Sequence, residues 1–160
     1  MELIGNIIMK FFSYIFPFVL RWYYTRKKLA EMMRITINSE HDGLVVNCGE
    51  IPDSRIWMEV ANQSPFPVEI QGISVNLIWG GTVGRFISIE RSEIQPHSFE
   101  RILVETTLTG EQAAYIRKNH SKNKPRLSVL LELKNRIRSF SVCRQEISTT
   151  NIKLNNCGEL

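Results

Sequence analysis

Cysteine and histidine are scarce in this chain, with three of each among 160 residues. Cys48, Cys143 and Cys157 are odd in number and form no Cys-x-x-Cys pair, so neither a disulfide framework nor a zinc site is implied. A single Cys48–Cys143 bridge between strands stays open, and the usage otherwise fits a reducing compartment. His41, His97 and His120 stand alone, without a ligand at metal spacing, and read as turn or surface residues. His41-Asp42 could orient an imidazole, but no serine sits in a nucleophile-elbow context. Gly80-Gly81-Thr82-Val83-Gly84 lacks the Gly-Lys-Ser/Thr of a phosphate-binding loop and reads as a hairpin turn. Acidic residues are scattered, with no pair in glycosidase arrangement. No catalytic constellation, metal or cofactor is therefore expected. An enzyme would have to gather its site from residues far apart in the sequence.

The folded body also lacks net charge. The whole chain carries 20 Lys and Arg against 16 Asp and Glu, a net charge of +4. That excess lies in the first 34 residues, where Lys10, Arg21, Arg26, Lys27, Lys28 and Arg34 face only Glu2 and Glu31. A neutral body argues against a general nucleic-acid binder. Length suits one domain with an appendage, and 43% hydrophobic with 22% charged residues is globular composition.

Residues 3–24 are that appendage. They are apolar and aromatic apart from Gly5 and a ladder of Asn6, Lys10, Ser13, Pro17 and Arg21, which Glu2 begins. At about 100° per residue the ladder occupies one arc of roughly 100°, leaving a wide apolar face. A cleaved signal peptide fits poorly, since no basic region precedes the run and no small-residue cleavage site follows it. A span is long enough at roughly 33 Å, but a central lysine costs about 2.5–3.5 kcal/mol of insertion. An in-plane interfacial helix avoids that cost by turning its stripe to water. Both remain open, as does packing on the domain itself or on a partner subunit. The membrane reading assigns apolar contact to Phe11, Phe12, Phe16, Phe18, Trp22 and Tyr23. It assigns anionic headgroups to Arg26, Lys27 and Lys28, at roughly 1 kcal/mol each. Either orientation leaves the domain on the cytoplasmic side.

From residue 34 to 147 the period becomes two. Ile35 and Ile37, then Leu44 to Val46 after a turn at His41-Asp42-Gly43, then Ile56, Met58 and Val60 mark three strands. Asn62 to Pro67 is a corner in which two prolines forbid regular pairing. Val68 and Ile70 share a face, and after Gln71-Gly72 the parity flips to Ile73, Val75, Leu77 and Trp79, which predicts a β-bulge. Further strands begin at Phe86 and run over Ile102 to Thr106, Leu127 to Leu133 and 136–147. Thr109 to Arg117 reads as one short crossover helix, capped by Thr109 with Gln112 at its third position. About seven evenly spaced strands point to a mainly β, antiparallel β-sandwich over 34–147, followed by a loose polar tail at 148–160.

The strand ending Met58-Glu59-Val60-Ala61-Asn62, followed by Ser64-Pro65-Phe66-Pro67-Val68-Glu69-Ile70, resembles the LEA14-like (LEA type 2, water-stress and hypersensitive response) family. The resemblance extends over roughly 34–146, including Ile94 to Ser98 and Leu108-Thr109-Gly110. It implies an immunoglobulin-like sandwich without catalytic residues, linked to stress protection or membrane-proximal binding. Membrane members of that family carry basic residues before the span and a domain outside. Here the basic flank follows, so that location is not carried over.

One more feature stands out between 117 and 138. Arg117, Lys118, Lys122, Lys124, Arg126, Lys134, Arg136 and Arg138 accompany a single acid, Glu132, with Lys134, Arg136 and Arg138 on one strand face by parity. A solvated loop and outer sheet face is the plain reading. The functional one is contact with anionic lipid or an acidic partner. Nucleic acid is less suited, because no stacking aromatics lie between the charges. Together these features describe a non-enzymatic, membrane-anchored β-sandwich for binding or structure, whose partners are anionic lipid and a protein subunit or second copy.

Overall fold

Strict alternation of apolar and polar residues buries one face of each strand, and two such faces can only be satisfied by packing against each other. The computed structural model describes residues 16–37, 43–88, 91–148 and 152–158. Among them ten strands form two five-stranded sheets. In the first sheet β3 (Asp53–Asn62) is central. Along one edge it pairs over its full length with β7 (Ser98–Thr107). Its other edge is shared by β1 (Met33–Ile37) and β2 (Leu44–Asn47). In the second sheet β4 (Val68–Ile78) pairs with β8 (Arg126–Lys134), and β8 with β9 (Ser139–Ser148). The far edge of β4 is shared by β5 (Thr82–Ser88) and the two-residue β6 (Glu93–Ile94).

The inward faces form a single hydrophobic core. Ile56, Met58 and Val60 from β3 lie in the same cluster as Val75, Leu77 and Trp79 from β4 and Val129, Leu131 and Leu133 from β8, all buried. The interior expected at Ile73, Val75, Leu77, Trp79, Val129 and Leu131 is thus observed. The parity flip in β4 is a register irregularity between Ile70 and Gly72, so Val68, Ile70 and Ile73 all face inward. An equivalent irregularity opposite Leu127 and Val129 adds a residue to β9 and brings Ile147 back against the core.

The crossover from β7 to β8 is a helix, α3 (Gly110–Asn119), with the full capping box of Thr109 and Gln112. It buries Ala113 and Ile116 at one end of the sandwich. Two further helical pieces precede β1. Residues 16–23 form α1. A break at Tyr24-Thr25 leads to α2 (Arg26–Glu31), which Thr25 caps by accepting from the Lys28 amide at 3.2 Å. Buried Leu29 seats α2 over the open side between β1 and β9.

Several expectations need correction. No helix among the described residues is long and apolar enough to cross a membrane. The segment before residue 16, with Phe11 and Phe12, lies outside the described residues, as do His41 and Asp42 of the expected turn. The last expected strand begins at Ser139 rather than 136, because the buried Asn135 side chain accepts from the Ile137 and Arg138 amides and holds 135–138 as a turn. Lys134, Arg136 and Arg138 therefore do not share a strand face. Nor is the tail loose throughout: β10 (Ile152–Asn155) adds in parallel to the outer edge of β2. Cys48 is buried and Cys143 exposed on β9, so these two do not pair.

Candidate functional site

The two ends of the sandwich differ. One end is the β3–β4 corner together with the β8–β9 turn, and α1 rests there. Tyr24 packs edge-on against Phe66, ring centroids 4.9 Å apart, and Arg136 stacks over the other partner of that pair at 4.9 Å from the Phe66 ring. Leu20 packs on the core, and an Arg138 guanidinium N–H donates to the Arg21 carbonyl. Leu20 and Tyr24 are four residues apart, hence on one side of the helix. Pro17 shares that side, lining a 200 Å³ cavity with Leu20, Arg136 and Ile137. So where the polar ladder enters the described chain, at Pro17 and Arg21, it lies toward the sandwich.

The opposite side of α1 is bare. Trp22 is 77% and Phe18 74% exposed there, with Val19 beside them, while Phe16 borders the cavity on the seated side and Tyr23 lies against Tyr24 and Lys28. Exposed large apolar residues this close together make that side of α1 the candidate surface. The basic flank is only partly available to a partner. Lys27 is exposed, but the Lys28 ammonium sits 3.4 Å from the Tyr23 ring centroid and braces the helix break. Arg26 is exposed beside a shallow depression that includes Gln71, Glu132 and Ser139.

The basic run at 117–138 is not one surface. Nine-residue β8 separates Arg126 from Lys134 by roughly 27 Å. Lys118, Lys122, Lys124 and Arg126 are exposed around the α3 end. Lys134 and Arg136 are exposed at the α1 end, where the half-buried Arg138 joins the turn to α1. Linear sequence placed these residues side by side, and the strand between them sends the two groups to opposite ends.

Arg117 belongs to a different place. It lines a cavity of about 630 Å³ with Cys48, Gly49, Glu50, Asn156 and Gly158. Within the adjoining interior the Cys48 and Cys157 sulfurs are 2.7 Å apart. Burial, the Cys157 sulfur and its charge push the Cys48 thiol up to about 12, against a smaller opposing pull from Arg117. Spacing gave no hint of this pair, because the two cysteines are 109 residues apart. Only knowledge that β10 returns to β2 could have revealed it. Among the histidines, His120 Nδ1 lies 2.7 Å from the Arg117 carbonyl at the end of α3, and His97 occupies an exposed turn with φ 55°.

No protein-family model matches the chain, and no curated protein matches it. An X-ray structure of a structural-genomics target is similar at 9% identity over 74% of this chain and 88% of its own, with a TM-score of 0.50. A protein from Archaeoglobus fulgidus is 13% identical over 73% of this chain and 95% of its own, with a TM-score of 0.42. The solution structure of a candidate late embryogenesis abundant protein is 14% identical over 94% of this chain and 87% of its own, with a TM-score of 0.39. The first likeness concerns the fold alone. The other two, below a TM-score of 0.5, carry no argument about ancestry or function.

Proposed function

We propose that this protein is a non-enzymatic β-sandwich module that attaches to the cytoplasmic face of an anionic membrane through α1 and the chain preceding it. The observation that carries this reading is the two-sidedness of α1. Its Leu20 and Tyr24 side is seated on the sandwich, while Phe18 and Trp22 are strongly exposed on the other side. An in-plane helix needs this arrangement, with apolar side chains toward lipid and the polar side toward the domain. Lys27, Lys134 and Arg136 supply cations at the same end of the molecule, in reach of headgroups. The separation of the other cations to the α3 end weighs against one continuous nucleic-acid track.

The same reading makes the chain a distant LEA14-like, immunoglobulin-like sandwich, with protection or scaffolding at the membrane as its role. The support for that kinship is local. The Met58-to-Ile70 segment that carries the resemblance folds into a corner closed by a buried Asn62.

Sedimentation of the full-length protein with phosphatidylcholine vesicles, with and without phosphatidylserine, tests the proposal. Replacing both Phe18 and Trp22 by Ser removes two large apolar groups and should weaken binding about 100-fold or more on either lipid. Replacing Lys27, Lys134 and Arg136 by Gln removes roughly 3 kcal/mol on anionic vesicles and almost nothing on neutral ones. Wild-type protein that stays in the supernatant with both lipids would refute the membrane reading and assign the aromatic face to a protein partner.

A further inference from the structure

The contact between Cys48 and Cys157 is imposed by the backbone around it. Strand β10 runs beside β2 in register through Asn155 and Asn47. The Cys48 amide then donates to the Asn155 carbonyl at 2.9 Å, and the Asn156 carboxamide donates to Asn47 Oδ1 at 3.0 Å. Asn156 adopts φ 55°, a left-handed conformation that asparagine tolerates, and this folds Cys157 back into the interior. Position 49 must be small: a Cβ on Gly49 would lie 3.2 Å from both Asn156 Nδ2 and Asn47 Oδ1. Two thiols are therefore held in contact by neighbours that contain no sulfur. The third cysteine, Cys143, is exposed on β9 and serves as an internal control.

We infer that Cys48 and Cys157 are an oxidative modification site, closed to a disulfide by a small anionic disulfide of the glutathione class that enters the cavity beside them. That cavity, about 630 Å³, opens on Cys48 and is lined by Arg117, whose buried Nε has no hydrogen-bond partner. The Arg117 guanidinium can take a carboxylate and the exposed Glu50 an ammonium, so the lining suits an oxidant that bears both groups, as oxidised glutathione does. The Cys48 thiolate attacks one sulfur of the oxidant, breaking its S–S bond and expelling one thiolate. Cys157 then loses its proton and displaces the second thiolate from Cys48. Two protein thiols give one Cys48–Cys157 bond, and the oxidant takes up two electrons and two protons as two thiols. The product ties β10 covalently to the end of β2. Because the Cys48 thiol is pushed up to about 12, little of it is thiolate near neutrality, and the rate should rise close to tenfold per pH unit between 7 and 10.

Full-length reduced protein is incubated with oxidised glutathione at pH 8.5, then alkylated and examined by intact mass and peptide mapping. The expected product has a peptide linking residues 48 and 157 and no glutathione at either, whether the exposed Cys143 is free or carries glutathione. Its thermal midpoint should exceed that of the reduced form by several degrees. In Cys157→Ser the reaction should stop with glutathione bound at Cys48, and oxidation should leave the midpoint without that gain. Persistence of free Cys48 and Cys157 in folded wild-type protein after prolonged oxidation overturns the inference. So does linkage of either to Cys143 in preference to each other.

Discussion

The carboxamide of Asn62 closes the β3–β4 corner from inside. Its Nδ2 donates to the carbonyls of Phe66 at 2.8 Å, Ile94 at 3.1 Å and Gln95 at 3.2 Å, while its Oδ1 accepts from the Ser64 amide and hydroxyl at 3.0 and 2.7 Å. One fully buried side chain thereby fastens the end of β3 to the start of β4 and to β6, across the two sheets. Truncation strands those carbonyls, and Asn62→Ala should cost about 1–3 kcal/mol in urea denaturation. Asn62→Asp should cost more, because a carboxylate turns acceptors toward three acceptors. Equal stability of the aspartate variant and wild type would show that the network contributes nothing. Gly80 illustrates a different residue-scale constraint. It has φ 73°, and a Cβ there would lie 2.8 Å from the Asn123 side chain, in the loop whose carbonyl accepts the buried Trp79 indole N–H.

Helix α3 is short, so its ends weigh heavily. The Gln112 amide donates to Thr109 Oγ1 at 3.2 Å, and the Gln112 side chain accepts from the Thr109 amide at 2.8 Å. Thr109→Ala should lower stability by about 1 kcal/mol. A variant indistinguishable from wild type in denaturation midpoint would mean that packing of Ala113 and Ile116 alone holds the helix. This capping box was legible in the sequence, as were the bulge after Ile70 and the inward parity of β4 and β8. Each of these rests on a local pattern several residues long. Strand β6 has only two residues, and β10, Ile-Lys-Leu-Asn, lacks the apolar run that marks the equally short β2. Helix α2 was hidden because Leu29 and Ala30 are adjacent and are its only apolar residues, which leaves no helical period to read. Among candidate site residues, the exposure of Phe18 and Trp22 on one side of α1 was legible from the helical period. The split of the 117–138 cations and the bracing role of Lys28 did not, since both depend on which strands and rings lie between them.

At the scale of the whole molecule, α1 occupies one end of the sandwich, and α3 with the 630 Å³ cavity occupies the other. The thiol interior near the second end gives stability a pH dependence. Folding raises the Cys48 pKa from 9.0 to about 12, so above pH 9 the unfolded chain sheds a proton that the native state retains. The contribution is complete below pH 9 and is lost as pH rises toward 12. Under reducing conditions the stability advantage of wild type over Cys48→Ser should therefore narrow between pH 8 and 10.5. A constant gap across that range would show that Cys48 is not held protonated by the fold. Strand β10 has a consequence in time as well as in space. Among the described strands it is the tenth in chain order, and its partner β2 is the second. Until β10 has been made, β2 has its inner edge against β3 and its outer edge open, a row of unpaired amides and carbonyls able to recruit a strand from a neighbouring nascent chain. Synthesis of β10 ends that exposure, so chains truncated after Ser148 would keep a permanently adhesive edge and accumulate as aggregates although both sheets are otherwise present.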